Sequence, residues 1–566
     1  MSRGGRVSDV HYANVCLRNV KAPIDVASDY GKGASGLLVP VFEDVLFENV
    51  HSLTGGRVII KGHDDESPVK ATFRNVQIDG MPRFDIEHAQ LSPAENFTNG
   101  VGPACEQGFP AFPVKAEAIP RPQLTAEQAA RFAYSEVLKY AGEPGREAID
   151  PWDPLAVPMP TGQPDYTVDQ HARPDGRTVF NSVQAAVDRA VVDARAPRAR
   201  PRVQILVKPG VYRELVYVPQ SGTAITLYGE GASAAATVIT EDLDASVTGQ
   251  AYAARHGPSF AGMDASIQAM FDSLRSQSTL GTFGSYTVWV KNPGFQARNI
   301  TFENAYRRPA VPPCVEDCRL AFATASAVSH QAVALAIDGA DRARFENVRV
   351  LGLQDTLFMK AGEGGRTVRV FFDKSYVQGD VDFIFGDATG FFYRSEIRSL
   401  GARRNSYVGA PDTNIRTRYG LVFDRCEFTN DGSANALAGN YHLARQWFHN
   451  QKCTPYGAMA VDGYACRLAG TNSYAAPRGT VSKPVLETVG KMVVLNSRIG
   501  RHISKTNPWA DWNQSGKLSF RPAQFSSDDY WANLISAGFD PVRDLGYEQK
   551  PSPPDIYLGE YDNRPD

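Results

Sequence analysis

The chain is 566 residues long, 43% hydrophobic and 21% charged, with a net charge of −3 and a pI near 6.4. That balance is ordinary for a soluble folded protein and carries no basic footprint for nucleic acid. No apolar run approaches the ~20 residues of a membrane span, so neither nucleic acid nor membrane is expected as a partner.

The start, M-S-R-G-G-R-V-S-D-V, lacks the apolar core of a signal peptide. Residues 3–92 then repeat an aromatic-x-Asn-Val phrase, in V-H-Y-A-N-V, V-L-F-E-N-V at 45–50 and A-T-F-R-N-V at 71–76. From Phe47 to Phe73 is 26 residues, and roughly 20–30 residues complete one coil of a parallel β-helix. R-G-G followed by V-x-x-V-x-Y-x-N-V resembles the closing coils of a polygalacturonase-type glycoside hydrolase β-helix. That family's catalytic Asp cluster lies upstream of such coils, so the resemblance carries no hydrolase activity into residues 1–92. A solenoid entered in mid-coil exposes an unpaired edge, which predicts an N-terminally truncated product of a longer gene.

Residues 93–164 read as a linker, Pro- and Gly-rich and aperiodic over 93–123. Thr125 caps a predicted helix over 125–141, with Phe132, Val137 and Leu138 on one face for docking. A second domain is expected over 165–566. It opens with a strand, an Asp-Gly turn and a helix through V-Q-A-A-V, and continues with R-V-Q-I-L-V-K-P-G-V-Y-R-E as strand, turn and strand. Glu214 in that run is open to a catalytic acid role, but a lone Glu after a Pro-Gly turn reads first as structural. A long insertion is placed at roughly 235–278. A further insertion follows Trp447 to about 490, bracketing Cys453 and Cys466.

The centre of the chain carries three phrases: S-H-Q-A-V-A-L at 329–335, L-Q-D-T-L-F at 353–358 and V-D-F-I-F-G at 381–386. Gln331 to Asp355 is 24 residues and Asp355 to Asp382 is 27. If each interval is one coil, the three stand on successive rungs of one sheet, about 4.8 Å apart. A single Asp beside a strand is ordinarily a turn or solvated residue. Three polar residues in phase are harder to explain that way. Two adjacent carboxylates repel, so one holds its proton where the other is ionised, the arrangement that acid/base chemistry with a carboxylate nucleophile requires.

These phrases resemble the signature blocks of the pectin methylesterase family, in the family's order. G-V-Y-R-E at 210–214 is similar to its first block, and H-L-A-R-Q-W at 442–447 to its last, with Arg445 and Trp447 retained. The resemblance implies an all-β, right-handed parallel β-helix, preceded by the partial second β-helix and the linker with its short helix. It implies hydrolysis of pectin methyl esters to pectate and methanol, with Asp382 as nucleophile and Asp355 as general acid, then base. Gln331 and Gln354 become oxyanion donors, and Arg445 the cation that pairs with and orients Asp382. Thr282, Trp447, Phe385 and Phe358 are implied substrate contacts; for Thr282 a plain strand role, and for the two Phe residues coil packing, stand beside that. A-R-Q-W in place of the family's G-R-P-W is expected to alter that loop's rigidity, and Phe358 replaces a common tyrosine.

No cofactor or metal is implied. There is no second C-x-x-C and no His pair at ligand spacing, which speaks against a zinc site. With seven cysteines at least one is unpaired; Cys314 with Cys318, and Cys453 with Cys466, are open to two local disulfides or to free thiols. The expected partner is methylated pectin, met by a monomer in a secreted or periplasmic setting. No G-x-S-x-G run marks a Ser-His-Asp esterase, and a Ca²⁺-dependent lyase would want an acidic ligand cluster without paired glutamines. An inactive pectin-binding protein, or a thioester hydrolase on the same scaffold, remains the alternative.

Overall fold

The computed structural model describes residues 5–18, 20–28, 39–94, 97–105, 121–156, 159, 162–306, 331–456, 465–471, 473–514, 518–547 and 555–565. The chain divides into two compact units, Met1–Glu117 and Ala118–Asp566. His330, Cys314 and Cys318 lie outside the described residues.

In the first unit the aromatic-x-Asn-Val phrases stack rung upon rung. Tyr12 pairs with Phe47 and Phe47 with Phe73 in parallel register, their rings stacked at 5.0 and 5.1 Å. Asn14, Asn49 and Asn75 follow in left-handed conformation, with φ of 56°, 54° and 53°. Asn tolerates that region better than most side chains. Their amides form a ladder, Asn49 donating to Asn14 at 3.0 Å and Asn75 to Asn49 at 2.8 Å. A disulfide joins Cys16 to Cys105, 89 residues apart.

The second unit is a parallel β-helix with three long faces of eleven, nine and eight strands, visited in turn by each coil. Strands Ala343–Glu346, Arg349–Leu351 and Leu357–Lys360 make one such circuit, each pairing in parallel with its counterpart in the next. Inside, one aromatic column runs along the eleven-stranded face. Phe345, Phe372, Phe392 and Phe423 stack at 4.5, 4.9 and 4.6 Å. The first of those intervals is the 27-residue coil expected from the sequence.

One end of the solenoid is closed by helix Val183–Asp193. Ser182 caps it through the Ala185 amide, and Glu214 accepts from the Val183 and Gln184 amides at 2.8 and 2.9 Å. Burial raises Glu214 to about 7. Glu214 is therefore a helix anchor far in role from a catalytic acid.

Two expected elements come out differently. The helix placed at 125–141 is two short turns, Ala126–Ala130 and Tyr134–Val137, with Ala133 extended between them. Residues two apart on a continuous helix point about 200° away from each other. The break lets Phe132 meet Tyr419 and Tyr134 meet Phe371 and Phe391 on the eleven-stranded face. The insertion placed from 235 begins later, because strand Thr237–Glu241 belongs to the nine-stranded face. What is inserted is a helical hairpin, Gly249–Phe260 and Ala265–Arg275, with Phe260 packed on Tyr217 of the eight-stranded face. Cys453 and Cys466 are free thiols, as is Cys426.

Candidate active site

The site is built on the eight-stranded face. Phe358 pairs with Phe385, and Asp355 and Asp382 each stand three residues before those partners, so the carboxylates occupy adjacent rungs. Leu335, however, pairs with Leu357, a coil of 22 residues rather than 24. Gln331 therefore stands two positions ahead of Asp355's rung, with the Ala332 amide donating to the Gln354 carbonyl at 3.1 Å.

Both aspartates are in left-handed conformation, φ 62° at Asp355 and 51° at Asp382. Asp382 falls in a register shift between Val381 and Ile384. Bulges of this kind re-aim a side chain beside a functional cleft, and such backbone is retained where a site requires it. Both carboxylates face one cavity of about 500 Å³, lined also by Gln331, Gln354, Arg445 and Trp447.

Arg445 holds Asp382 with both arms, Nε to Oδ1 at 2.9 Å and Nη2 to Oδ2 at 2.6 Å. The row of register partners Phe385, Ala410, Arg445 and Ala510 explains how it reaches: Ala410 leaves the gap over which the guanidinium extends. The guanidinium lies 4.0 Å over the Tyr407 ring and 4.3 Å over the Trp512 ring, and its Nη1 donates to Asn513 at 3.1 Å. Bidentate geometry and stacking both favour Arg over Lys here. Burial, and after it the charge of Asp382, pushes Asp355 well above the ordinary carboxylate value; Arg445 and Arg403 pull the other way. Thr282 also lines the cavity, its hydroxyl 3.5 Å from Asp355 Oδ2.

Of the apolar residues singled out in the sequence, Trp447 and Phe385 line the cavity and Phe358 does not. Phe358 is buried behind them, stacked on Phe385 at 4.8 Å and tilted by 45° against Phe283 at 5.1 Å. Phe283, 51% exposed, is the ring that faces Trp447 across the opening, at 6.1 Å. The A-R-Q-W loop is held firmly without its proline. Gln446 is buried, donates to the Gly490 and Gln524 carbonyls at 2.9 Å each, and accepts from the Gln524 amide at 2.7 Å. Arg403, Asn405, Tyr407, Asn450, Trp512 and Asn513 also line the cavity and were not singled out from the sequence. Among the described residues no cluster of three or more His, Cys, Asp or Glu could hold a metal ion.

Comparison with known proteins gives two family matches, Pectinesterase over residues 314–454 and glycosyl hydrolases family 28 over residues 1–96. A pectinesterase of Ralstonia solanacearum is 33% identical over 394 residues, covering 69% of this chain and 84% of its own. Escherichia coli (strain K12) YbhC, which carries the provisional name of an acyl-CoA thioester hydrolase, is 31% identical over 406 residues, 69% and 78% of the two chains. The solved rice weevil pectin methyl esterase matches with a TM-score of 0.55 at 25% identity, over 79% of this chain and 97% of its own. The fold is the right-handed parallel β-helix expected from the sequence.

Proposed function

The chain belongs to the pectinesterase family, and from that premise we propose how its cavity removes methyl esters from pectin. The carboxylate of Asp382 attacks the ester carbonyl carbon. The oxyanion that forms takes N–H donors from Gln331 and Gln354, a role in which one lost donor costs about 2.7–4 kcal/mol. As the tetrahedral centre collapses, the C–O bond to methoxide breaks and Asp355 gives it a proton, releasing methanol. The acyl group is then joined to Asp382 as a mixed anhydride. Asp355, now a carboxylate, takes a proton from water as that water attacks. The products are the free uronate and the regenerated Asp382. Arg445 keeps Asp382 aimed at the carbonyl throughout.

The observation that carries this reading is the pairing of unlike environments on adjacent rungs. Asp382 is clamped by a guanidinium, whereas Asp355 is pushed well upward by burial and by its neighbour's charge. Two carboxyl groups in contrasting surroundings are the arrangement that separates nucleophile from acid. Trp447, Phe385, Phe283 and Thr282 bind the sugar chain, with Phe358 supporting from behind. The cavity is complete within one chain, in line with a monomer, and a wall polysaccharide as substrate places the enzyme in a secreted or periplasmic setting.

Methanol release from highly methylated pectin tests the reading. The full chain is expected to release methanol at the same rate with and without EDTA, and faster than it releases thiol from acyl-CoA. The reverse preference would support the thioester alternative.

The glycoside-hydrolase-like segment, residues 1–92, is proposed to contribute no backbone cleavage, and residues 165–566 to carry the esterase. The described rungs of the first unit are laddered by Asn side chains, and the catalytic Asp cluster of the family they resemble belongs to coils upstream of these. Incubating the full chain with demethylated polygalacturonate is expected to produce no new reducing ends. Their steady appearance would overturn this assignment.

A further inference from the structure

An ion pair at the cavity is not used by the mechanism. Arg403 lies on the loop between strands Glu396–Ser399 and Tyr407–Pro411, and it lines the cavity. Its Nε sits 3.1 Å from Oδ2 of Asp380, which is 1% exposed. Its Nη2 donates to Oε1 of Gln354 at 3.0 Å. The loop itself is tied down, because Tyr441 donates to the Arg403 carbonyl at 2.7 Å and Ser406 to the Asp380 carbonyl. Asp380 in turn donates its amide to the Leu353 carbonyl at 3.2 Å, one residue before Gln354.

A side-chain amide is nearly symmetric in shape and opposite in polarity at its two ends. A guanidinium has only donors, so it can meet Gln354 only through the amide oxygen. With that oxygen taken, the NH₂ end is the one left to face the cavity that Gln354 lines. An amide free to turn would present its carbonyl to an incoming oxyanion part of the time, and that contact is repulsive. Preorganised donors stabilise the transition state because they need no reorientation when charge develops.

We propose that Arg403, anchored by Asp380, is a positioning residue that sets the orientation of the Gln354 amide, so that N–H and not C=O faces the oxyanion. This rests on the oxyanion role given to Gln354 above. Arg403 acts through Gln354 and not on the substrate, and that distinction can be measured. Residues acting through one another give non-additive losses in a double-mutant cycle, whereas independent contacts give losses that multiply.

The experiment compares the full-length protein with Gln354→Ala, Arg403→Met and the double variant, reading kcat and KM on a methyl-esterified oligogalacturonate. Gln354→Ala is expected to lower kcat roughly 100- to 1,000-fold. Arg403→Met is expected to lower kcat about 10-fold or more with little change in KM, and the double variant to be no slower than Gln354→Ala alone. Arg403→Lys, which keeps a donor for the amide oxygen, is expected to recover part of the loss. Multiplying losses, or an Arg403→Met effect confined to KM, would overturn the proposal and make Arg403 a contact for the substrate's uronate. Full kcat in Gln354→Ala would instead remove the oxyanion role on which the proposal stands. If Arg403→Met fails to fold because Asp380 is left buried and unpaired, Arg403→Met combined with Asp380→Asn provides the same comparison.

Discussion

Asp382→Asn is expected to lose methanol release by a factor on the order of 10⁴ or more, and Asp355→Asn by about 10²–10⁴. The first figure follows from removing a nucleophile and the second from removing a general acid. Neither change should disturb the fold. Asn tolerates the left-handed backbone that both positions adopt, φ 51° and 62°. Both side chains face the cavity and not the packed interior. Far-UV circular dichroism is therefore expected to stay close to that of the native chain in both variants, and the thermal midpoint to stay close to native in Asp355→Asn and to fall in Asp382→Asn, which leaves Arg445 without its anionic partner. Loss of the thermal transition together with activity would mean that the carboxylates are structural.

Arg445→Gln carries the second large effect, and here stability moves too. Removing one partner of a buried ion pair leaves the other charge uncompensated and costs roughly 3–5 kcal/mol. Asp382 is the group left behind, and the rings of Tyr407 and Trp512 lose the cation between them. The pH profile separates this from simple unfolding. Asp355 is raised first by burial and then by the charge of Asp382, whereas Arg445 lowers it. Taking away a cation that favours the carboxylate form raises Asp355 further. In the proposed mechanism Asp355 acts as the acid only while protonated, so activity is expected to fall on the alkaline side as that proton is lost. In the residual activity of Arg445→Gln the alkaline limb of kcat/KM is therefore expected to move to higher pH. A limb that stays in place, or moves down, would contradict the electrostatic coupling of these three groups.

How far the sequence reached follows the solenoid's own regularity. Asp355 and Asp382 were found because the interval between them, 27 residues, is a true coil, repeated by Phe345 and Phe372. Gln331 stands at the adjoining rung but slipped by two positions, because the coil that runs from it toward Asp355 is shorter, 22 residues between Leu335 and Leu357. A hydrophobic period averaged over several coils does not reveal the length of any single one. Arg445 was legible only through its neighbours in H-L-A-R-Q-W. The opposite wall of the cavity was not legible. Arg403 and Asn405 sit on a loop between faces, where no periodicity governs length or composition. The strand Thr237–Glu241 was absorbed into an insertion because the small residues A-S-A-A-A precede it and T-V-I-T-E carries no two-residue alternation to mark it. The helix at 125 was overextended because Thr125 and its capping partner Gln128 are strong start signals, while its break depends on the sheet face it packs against. Cysteine spacing left Cys453 and Cys466 open to a local bond or to free thiols, and they are free; among the described residues the disulfide spans 89 residues, because spacing alone does not determine partners.

The central claim is that Asp382 carries the acyl group between methanol release and hydrolysis. Acid-quenching the full chain during turnover of a methyl-esterified oligogalacturonate, followed by peptide mass mapping, tests this directly. The expected result is an adduct equal to the substrate less methanol on the peptide bearing Asp382, with neither adduct nor methanol from Asp382→Asn. An adduct on any other residue, or undiminished methanol release from Asp382→Asn, would contradict it.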